Sequence, residues 1–470
     1  MKRSIFIITL VVMFSGGAFA QSEVVRTLPN LQGNNSIARS WNTKQLLYTE
    51  EANLTEAFLL LDNNSQNYSV QKVALKKWYK ITDYIVHGDS VFFIGVYRNS
   101  RGFWGYFNIP NVFYSGDTIT YFLTNFFSTI ISGPLNDGWE LSFVNFDELQ
   151  QLPCNGRTEL LITGFQKYES YQGGIMMQLS YTPCLFHVAP PYTNFNYAYN
   201  NSVSEKFDDI ALIGNNIVVV GRQNYTASDS ANILFRIFDE ANFSFTSGNA
   251  VKLTQQNFFP SMSKVLIEPI GNAAGNVFAT AHHGNFAPYQ GLFVEYYSID
   301  LTNPYSLIKR NHYTFAGQGN TLLSGTTLKK ATFNASANKL CVLQDMEMPL
   351  SSNSIKSTIC KFDLSGFPFV PCSTSHRIDN GMSISSVANN ITSSILYSGK
   401  STPYGAMLMK EDISSPGTCM EHPGLSTTTA NVPVDLPSTE TSLYESSDNA
   451  TRVLHYSAPE TIPCDVICRQ

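Results

Sequence analysis

Charged side chains are scarce in this 470-residue chain, at 14% against 43% hydrophobic residues, and Lys and Arg form no run. With a formal charge of −6, the chain lacks the basic face that a nucleic-acid partner needs. After residue 20 no apolar stretch is long enough to cross a bilayer, so no transmembrane segment is expected. No G-x-S-x-G elbow, no P-loop and no G-x-G-x-x-G behind a strand occurs, which removes the motif routes to a serine hydrolase, a nucleotidase and a dinucleotide enzyme. Paired C-x-x-C motifs and a D-x-D-x-D-G calcium loop are missing too, and no metal or cofactor is expected.

What is present is aromatic and β-branched. Aromatics reach 13%, with 24 Tyr and 32 Phe, which is the balance of an all-β protein. The N-terminus reads as an export leader over residues 1–20. Lys2 and Arg3 precede an apolar run over Ile5–Phe14, and Ala18-Phe19-Ala20 is an A-x-A site that predicts a mature start at Gln21. The expected address is secreted or otherwise extracytoplasmic.

The stretch Phe207–Asp239 sets the pattern of the rest. An apolar strand A is followed by the turn Gly214-Asn215-Asn216, the β-branched strand B at Ile217–Gly221, a polar loop, and an alternating strand C at Asn232–Asp239. The same order returns in Ser36–Asp62, Ile81–Ile109, Trp139–Tyr181, Lys264–Asp300, Lys329–Leu364 and Met382–Asp412. Segments such as Asp117–Leu123 and Ala250–Thr254 fit an outer strand D. One twisted sheet cannot bury both of its faces, and stacking such sheets around an axis buries all of them. The expected fold is therefore an all-β propeller of seven blades of four antiparallel strands over residues 21–420. The units, with IGNNIVVVGRQ and NILFRIFD as examples, resemble the blades of secreted bacterial β-propeller proteins across about residues 30–415. That resemblance implies the fold and carries no activity.

Residues 421–470 form a Ser/Thr/Pro-rich tail, whose part 423–452 reads as a linker or loose tail, with a cysteine pair near the end. Its last apolar pieces, Arg452–Tyr456 and Ile462–Cys468, either pair as an edge strand or are tied by a disulfide to Cys419. Ring closure is expected from residues near Val24–Leu31 or from the segment after Asp412. All eight cysteines follow the leader, and an even number in an exported chain reads as disulfides. Cys341 and Cys360 lie two and three residues in from the B–C loop of one blade and are the expected bridge. Cys154 and Cys184 flank another blade and are the second candidate pair.

Every B–C loop of a propeller emerges on one face. Those loops are expected to carry Tyr97, Arg98 and Trp104, then Tyr168 and Tyr171, Arg222 and Tyr225, His282, His283 and Tyr289, and Tyr404. Aromatics mixed with a few charges suit a glycan or a protein or peptide ligand. The expected function is a binding protein using this face, with Trp104 as its strongest contact. The alternative is a hydrolase or lyase acting on glycans, with carboxylates such as Asp209, Glu295 or Asp345 meeting near the axis.

Overall fold

The computed structural model describes the strands given below and the turns between them, outside residues 1–22, 52–54, 63–68, 99–100, 125–138, 147–156, 169–170, 182–193, 200–203, 225–230, 240–248, 254–263, 271–275, 287–288, 301–306, 316–326, 348–354, 365–374, 378–381, 391–393, 402–404, 413–426, 429–437, 440–443 and 470. The candidate disulfide Cys154–Cys184 lies outside the described residues, as does the expected leader over residues 1–20.

Seven four-strand meanders follow one another. The first is β2 (Ile37–Trp41), β3 (Lys44–Glu50), β4 (Glu56–Asp62) and β5 (Ser69–Ala74), and the second is β6 (Tyr79–His87), β7 (Ser90–Tyr97), β8 (Arg101–Asn108) and β9 (Thr118–Thr124). The third is β10 (Trp139–Phe146) to β13 (Asn194–Tyr199), with β11 (Arg157–Tyr168) and β12 (Tyr171–Tyr181) between. The fourth runs through β14 (Ser204–Ile213), β15 (Asn216–Asn224), β16 (Ala231–Asp239) and β17 (Asn249–Leu253). The fifth runs through β18 (Val265–Pro269), β19 (Val277–Phe286), β20 (Tyr289–Ile299) and β21 (Leu307–Phe315). The sixth runs through β22 (Thr327–Asn334), β23 (Lys339–Glu347), β24 (Ile355–Asp363) and β25 (Ser375–Arg377). The last has β26 (Met382–Asn389), β27 (Ser394–Ser401) and β28 (Gly405–Asp412), and its outer strand is the N-terminal β1 (Glu23–Leu28). The inner strands touch in the cyclic order β2, β6, β10, β14, β18, β22, β26 and back to β2. This closed ring of twisted sheets is a β-propeller.

Stacking explains the runs that mark strand B. Leu46, Leu47 and Tyr48 of β3 are buried on successive positions, as are Ile217 to Val220 of β15, because each sheet is covered on both faces. The core therefore lies between blades. Phe58, Tyr84, Phe93 and Tyr121 fill the space between the first two meanders, and Phe235, Phe278 and Tyr297 the space between the fourth and fifth. Gly214, at φ 60, makes the tight β14–β15 turn that the sequence marks.

The strands form six hydrogen-bonded sheets, where seven separate blades were expected. The difference comes from the C-terminal residues. β31 (Tyr444–Tyr456) pairs with β13 through its first half and with β9 through its second, joining two meanders into one nine-stranded sheet. It is one piece of a belt. β29 (Thr427–Thr428) adds to β21, β30 (Ser438–Thr439) to β17, β32 (Glu460–Pro463) to β5, and β33 (Asp465–Arg469) to β1. The tail thus runs around the rim against the chain order and supplies an extra outer strand to six meanders. Only β25 carries none among the described residues. Both closure options are used at once, since β1 pairs with β28 and is then covered by β33.

The expected Cys341–Cys360 bridge is not formed. Cys341 stands opposite Lys361, and Cys360 stands opposite Val342. An offset of one residue sends the two side chains to opposite faces of the sheet. Cys341 enters the core shared with the seventh meander, and Cys360 the core shared with the fifth. Both side chains are buried, and burial pushes the Cys360 thiol up to about 12.

Candidate ligand-binding face and channel mouth

Strand direction sorts the loops. Strand A leads away from the face where the B–C loops emerge, and strand D returns to it, so the D–A connections share that face. The N-terminal ends of the inner strands converge there around the axis. Between them lies a cavity of about 210 Å³, lined from five meanders. Its lining includes Arg39, Lys80, Lys264, Lys329 and Lys330, with Asp83 as the one carboxylate among the described residues. Uncharged polar lining comes from Asn35, Ser36, Thr82, Ser385 and Ser386.

Four of the inner strands carry an extra residue near this end. The register shifts fall between Ile81 and Asp83, Phe207 and Asp209, Leu328 and Lys330, and Ile384 and Ser386. Such bulges re-aim side chains, and they set Asp83 and Lys330 at the mouth. Arg39 Nη2 lies 3.0 Å from Asp83 Oδ1, and Lys330 Nζ lies 3.6 Å from Asp83 Oδ2. Lys80 reaches Glu50 at 3.0 Å and Lys329 reaches Asp345 at 2.7 Å. The side chains of Lys80, Lys329 and Lys330 keep 28%, 22% and 21% of their surface in water, so their charge faces the opening. Among the described residues the five cations outnumber the three carboxylates paired with them, and a concave wall with such an excess concentrates field and attracts the opposite charge. In a chain of net −6, this is a local inversion.

Carboxylates do reach the inner strands, but they are engaged. Asp209 Oδ2 accepts from the Ile267 N–H at 3.0 Å, and Glu268 Oε2 accepts from the Phe333 N–H at 3.2 Å. Burial, and then the charge of Asp209, pushes the Glu268 carboxyl up to about 8. Glu56 does the same work between the first two meanders, accepting from the Ile81 N–H at 3.0 Å and from the Tyr48 hydroxyl. Burial raises Glu56 from 4.5 to about 8, with those two hydrogen bonds opposing the shift. Each of these acids stitches one blade to the next.

The sign of the Glu56 effect follows. Between pH 4.5 and about 8 the folded protein holds a proton there that the unfolded chain has released. Stability therefore falls as pH rises through that window, by at most about 1.4 kcal/mol per unit. Glu56→Gln should flatten this decline in urea-unfolding free energies measured from pH 5 to 8. An unchanged slope would show that the carboxyl is ionised in the fold.

Several residues expected on the B–C loops sit inside strands instead. Strand B extends beyond its apolar run, because neighbouring blades supply polar partners as well as apolar ones. Arg222 is buried in β15, with Nε 2.6 Å and Nη2 2.7 Å from the Asp208 carboxylate. That carboxylate also accepts from the Val265 N–H at 3.1 Å, so the pair ties two blades. His282 and His283 are buried in β19. His283 Nε2 lies 2.7 Å from Gln344 Oε1 across the next blade interface, and burial lowers it to about 4, leaving it neutral. Trp104 is 6% exposed within β8, opposite Ile94 and stacked on Phe122 at 4.1 Å between ring centres. It belongs to the sheet packing and not to a ligand face. Tyr225 and Tyr404 lie outside the described residues. Tyr168, Tyr171 and Tyr289 occupy strand ends on the B–C face.

Tyr97 and Arg98 do lie on the loop side, with Arg98 exposed and its guanidinium carbon 5.2 Å from the Tyr97 ring centre. Beside them stands a residue the sequence reading passed over. Trp78, in the D–A connection before β6, is 49% exposed at φ 75. Arg98 donates its N–H to the Trp78 carbonyl at 3.0 Å, binding the two loops together. For a bulky side chain this backbone region is a true outlier, costing on the order of 1–3 kcal/mol. The only sequence signal was the K-K-W-Y-K run, which carries no β pattern.

No family model matches this sequence, and no curated protein matches it. Among solved structures the chain is similar to the β-propeller domain of Nup133 from Vanderwaltozyma polyspora, at 12% identity and TM-score 0.39, over 84% of this chain and 98% of that one. It is also similar to the WD40 domain of SCAP from fission yeast, at 7% identity and TM-score 0.34, over 84% and 99%. Neither likeness bears on function.

Proposed function

We propose that this propeller is a binding protein whose B–C face takes an acidic segment of a protein partner at the channel mouth. The observation that carries this reading is the convergence of Arg39, Lys80, Lys264, Lys329 and Lys330 on one cavity of about 210 Å³. The space accepts one or two short side chains, and a carboxylate there meets donors already oriented by Asp83, Glu50 and Asp345. The carboxylates Glu56, Asp209 and Glu268 favour binding over glycan hydrolysis, because their oxygens are held by backbone N–H groups of the next blade.

Fluorescence anisotropy with labelled hexaglutamate tests the reading, with hexaglutamine as control. Binding should weaken as salt is raised, since exposed charges are screened. Lys80→Ala combined with Lys264→Ala should lower affinity roughly tenfold, about 1.4 kcal/mol, with the fold intact by circular dichroism. Equal binding of hexaglutamine, or selective binding of neutral sugars on a glycan array, would overturn it.

A further inference from the structure

We infer that Trp78 is the anchor that selects the partner: it takes an aromatic side chain placed two residues from an acidic one. This deepens the acidic-segment reading and rests on it. Three observations combine. First, Trp78 sits at a positive φ that asparagine and glycine tolerate far better, yet the residue stays half exposed. Burial therefore returns little of what the backbone gives up, so folding does not account for tryptophan at this position. Second, the conformation is held from both sides. The Arg98 N–H bonds the Trp78 carbonyl, and the Tyr79 N–H bonds the Lys76 carbonyl at 3.2 Å while the Tyr79 ring is buried in the core. The indole is thus presented on a rigid loop, with little side-chain freedom left to lose on binding.

Third, the surroundings are cationic and close to the cavity. Lys77 Nζ lies 5.0 Å from the Trp78 ring centre. Lys80, two residues on, lines the cavity, and two residues of chain span at most about 7 Å. An extended peptide repeats its side chains on one side every second residue, at about 6.6–6.8 Å. A carboxylate over Lys80 and an aromatic ring on Trp78 therefore match residues i and i+2 of one extended acidic segment.

The experiment compares two labelled peptides, hexaglutamate and Glu-Glu-Phe-Glu-Glu-Glu, on the wild-type full chain, on Trp78→Gly and on Trp78→Asn. The wild type should bind the phenylalanine peptide about tenfold more tightly than hexaglutamate. Both variants should lose that preference, hold hexaglutamate within about twofold of wild type, and melt at or above the wild-type temperature, because both residues are at ease at positive φ. Lower melting temperatures together with an unchanged preference would make Trp78 a packing residue and overturn the inference. Absence of any preference in the wild type would overturn it as well, while leaving the channel-mouth reading standing. Binding of the phenylalanine peptide with hexaglutamate silent would overturn the channel-mouth reading and this inference with it, as would silence from both peptides.

Discussion

A chain ending at Asp412 should leave solution as aggregate, where the full chain runs as a defined species on size exclusion. The cut removes β29 to β33 and bares the outer strands of six meanders at once. Exposed N–H and C=O rows are templates for pairing with other chains. Two losses add to this. The wedge between the second and third meanders is bridged at the rim by β31, through Tyr444–Asn449 on β13 and Ala450–Tyr456 on β9. The ring seam loses β33, leaving β1 paired only to β28. Cys464, 1% exposed, also leaves a core it shares with Leu28, Leu59 and Val70. Hydrogen exchange on any surviving soluble fraction should show β1, β9 and β13 as the least protected strands. A soluble, monomeric product with those amides protected would show that the belt is ornamental.

Lys361→Met should be the most damaging single substitution in the ring. Lys361 and Glu411 face each other between the sixth and seventh meanders, with side chains 2% and 1% exposed, and they bond directly. The Tyr397 hydroxyl donates to the other carboxylate oxygen at 2.8 Å. Removing the ammonium leaves a carboxylate in a low-dielectric interior, a change that costs about 3–5 kcal/mol. The melting temperature should fall by several degrees. Lys361→Met combined with Glu411→Leu should recover most of that loss, because no uncompensated charge remains. A double variant no more stable than the single would assign the cost to lost packing instead.

The repeats were legible because strand B is buried on both faces. Ile217-Val218-Val219-Val220 can only be written where neighbouring sheets cover both sides. The ends of those strands were not legible. Arg222, His282 and His283 look like loop residues, since polarity along a chain does not reveal that Asp208 or Gln344 waits on an adjacent strand or blade. The two tryptophans make the same point from opposite sides. Trp104 lies beside a loop in sequence but stacks on Phe122, and Trp78 stands half exposed in a connection where the Arg98 N–H bonds its carbonyl. The belt was invisible for a further reason. Strand addition at an edge uses backbone groups, so Thr427–Thr428 and Ser438–Thr439 pair with no apolar alternation to mark them.

By itself the sequence determined the class of fold. Local turns such as Gly214-Asn215 and doubly buried strands are short-range properties, written within about thirty residues each time they recur. Tertiary structure decided the rest. Which inner strands meet at the axis, and hence that Arg39, Lys80, Lys264, Lys329 and Lys330 share one cavity, depends on ring closure between residues up to about 290 positions apart. The pairing of thiols, carboxylates and belt strands depends on register, where a shift of one residue turns every side chain to the other face. Long-range closure and register are set by the sum of many contacts across the ring, and no local stretch of residues contains them.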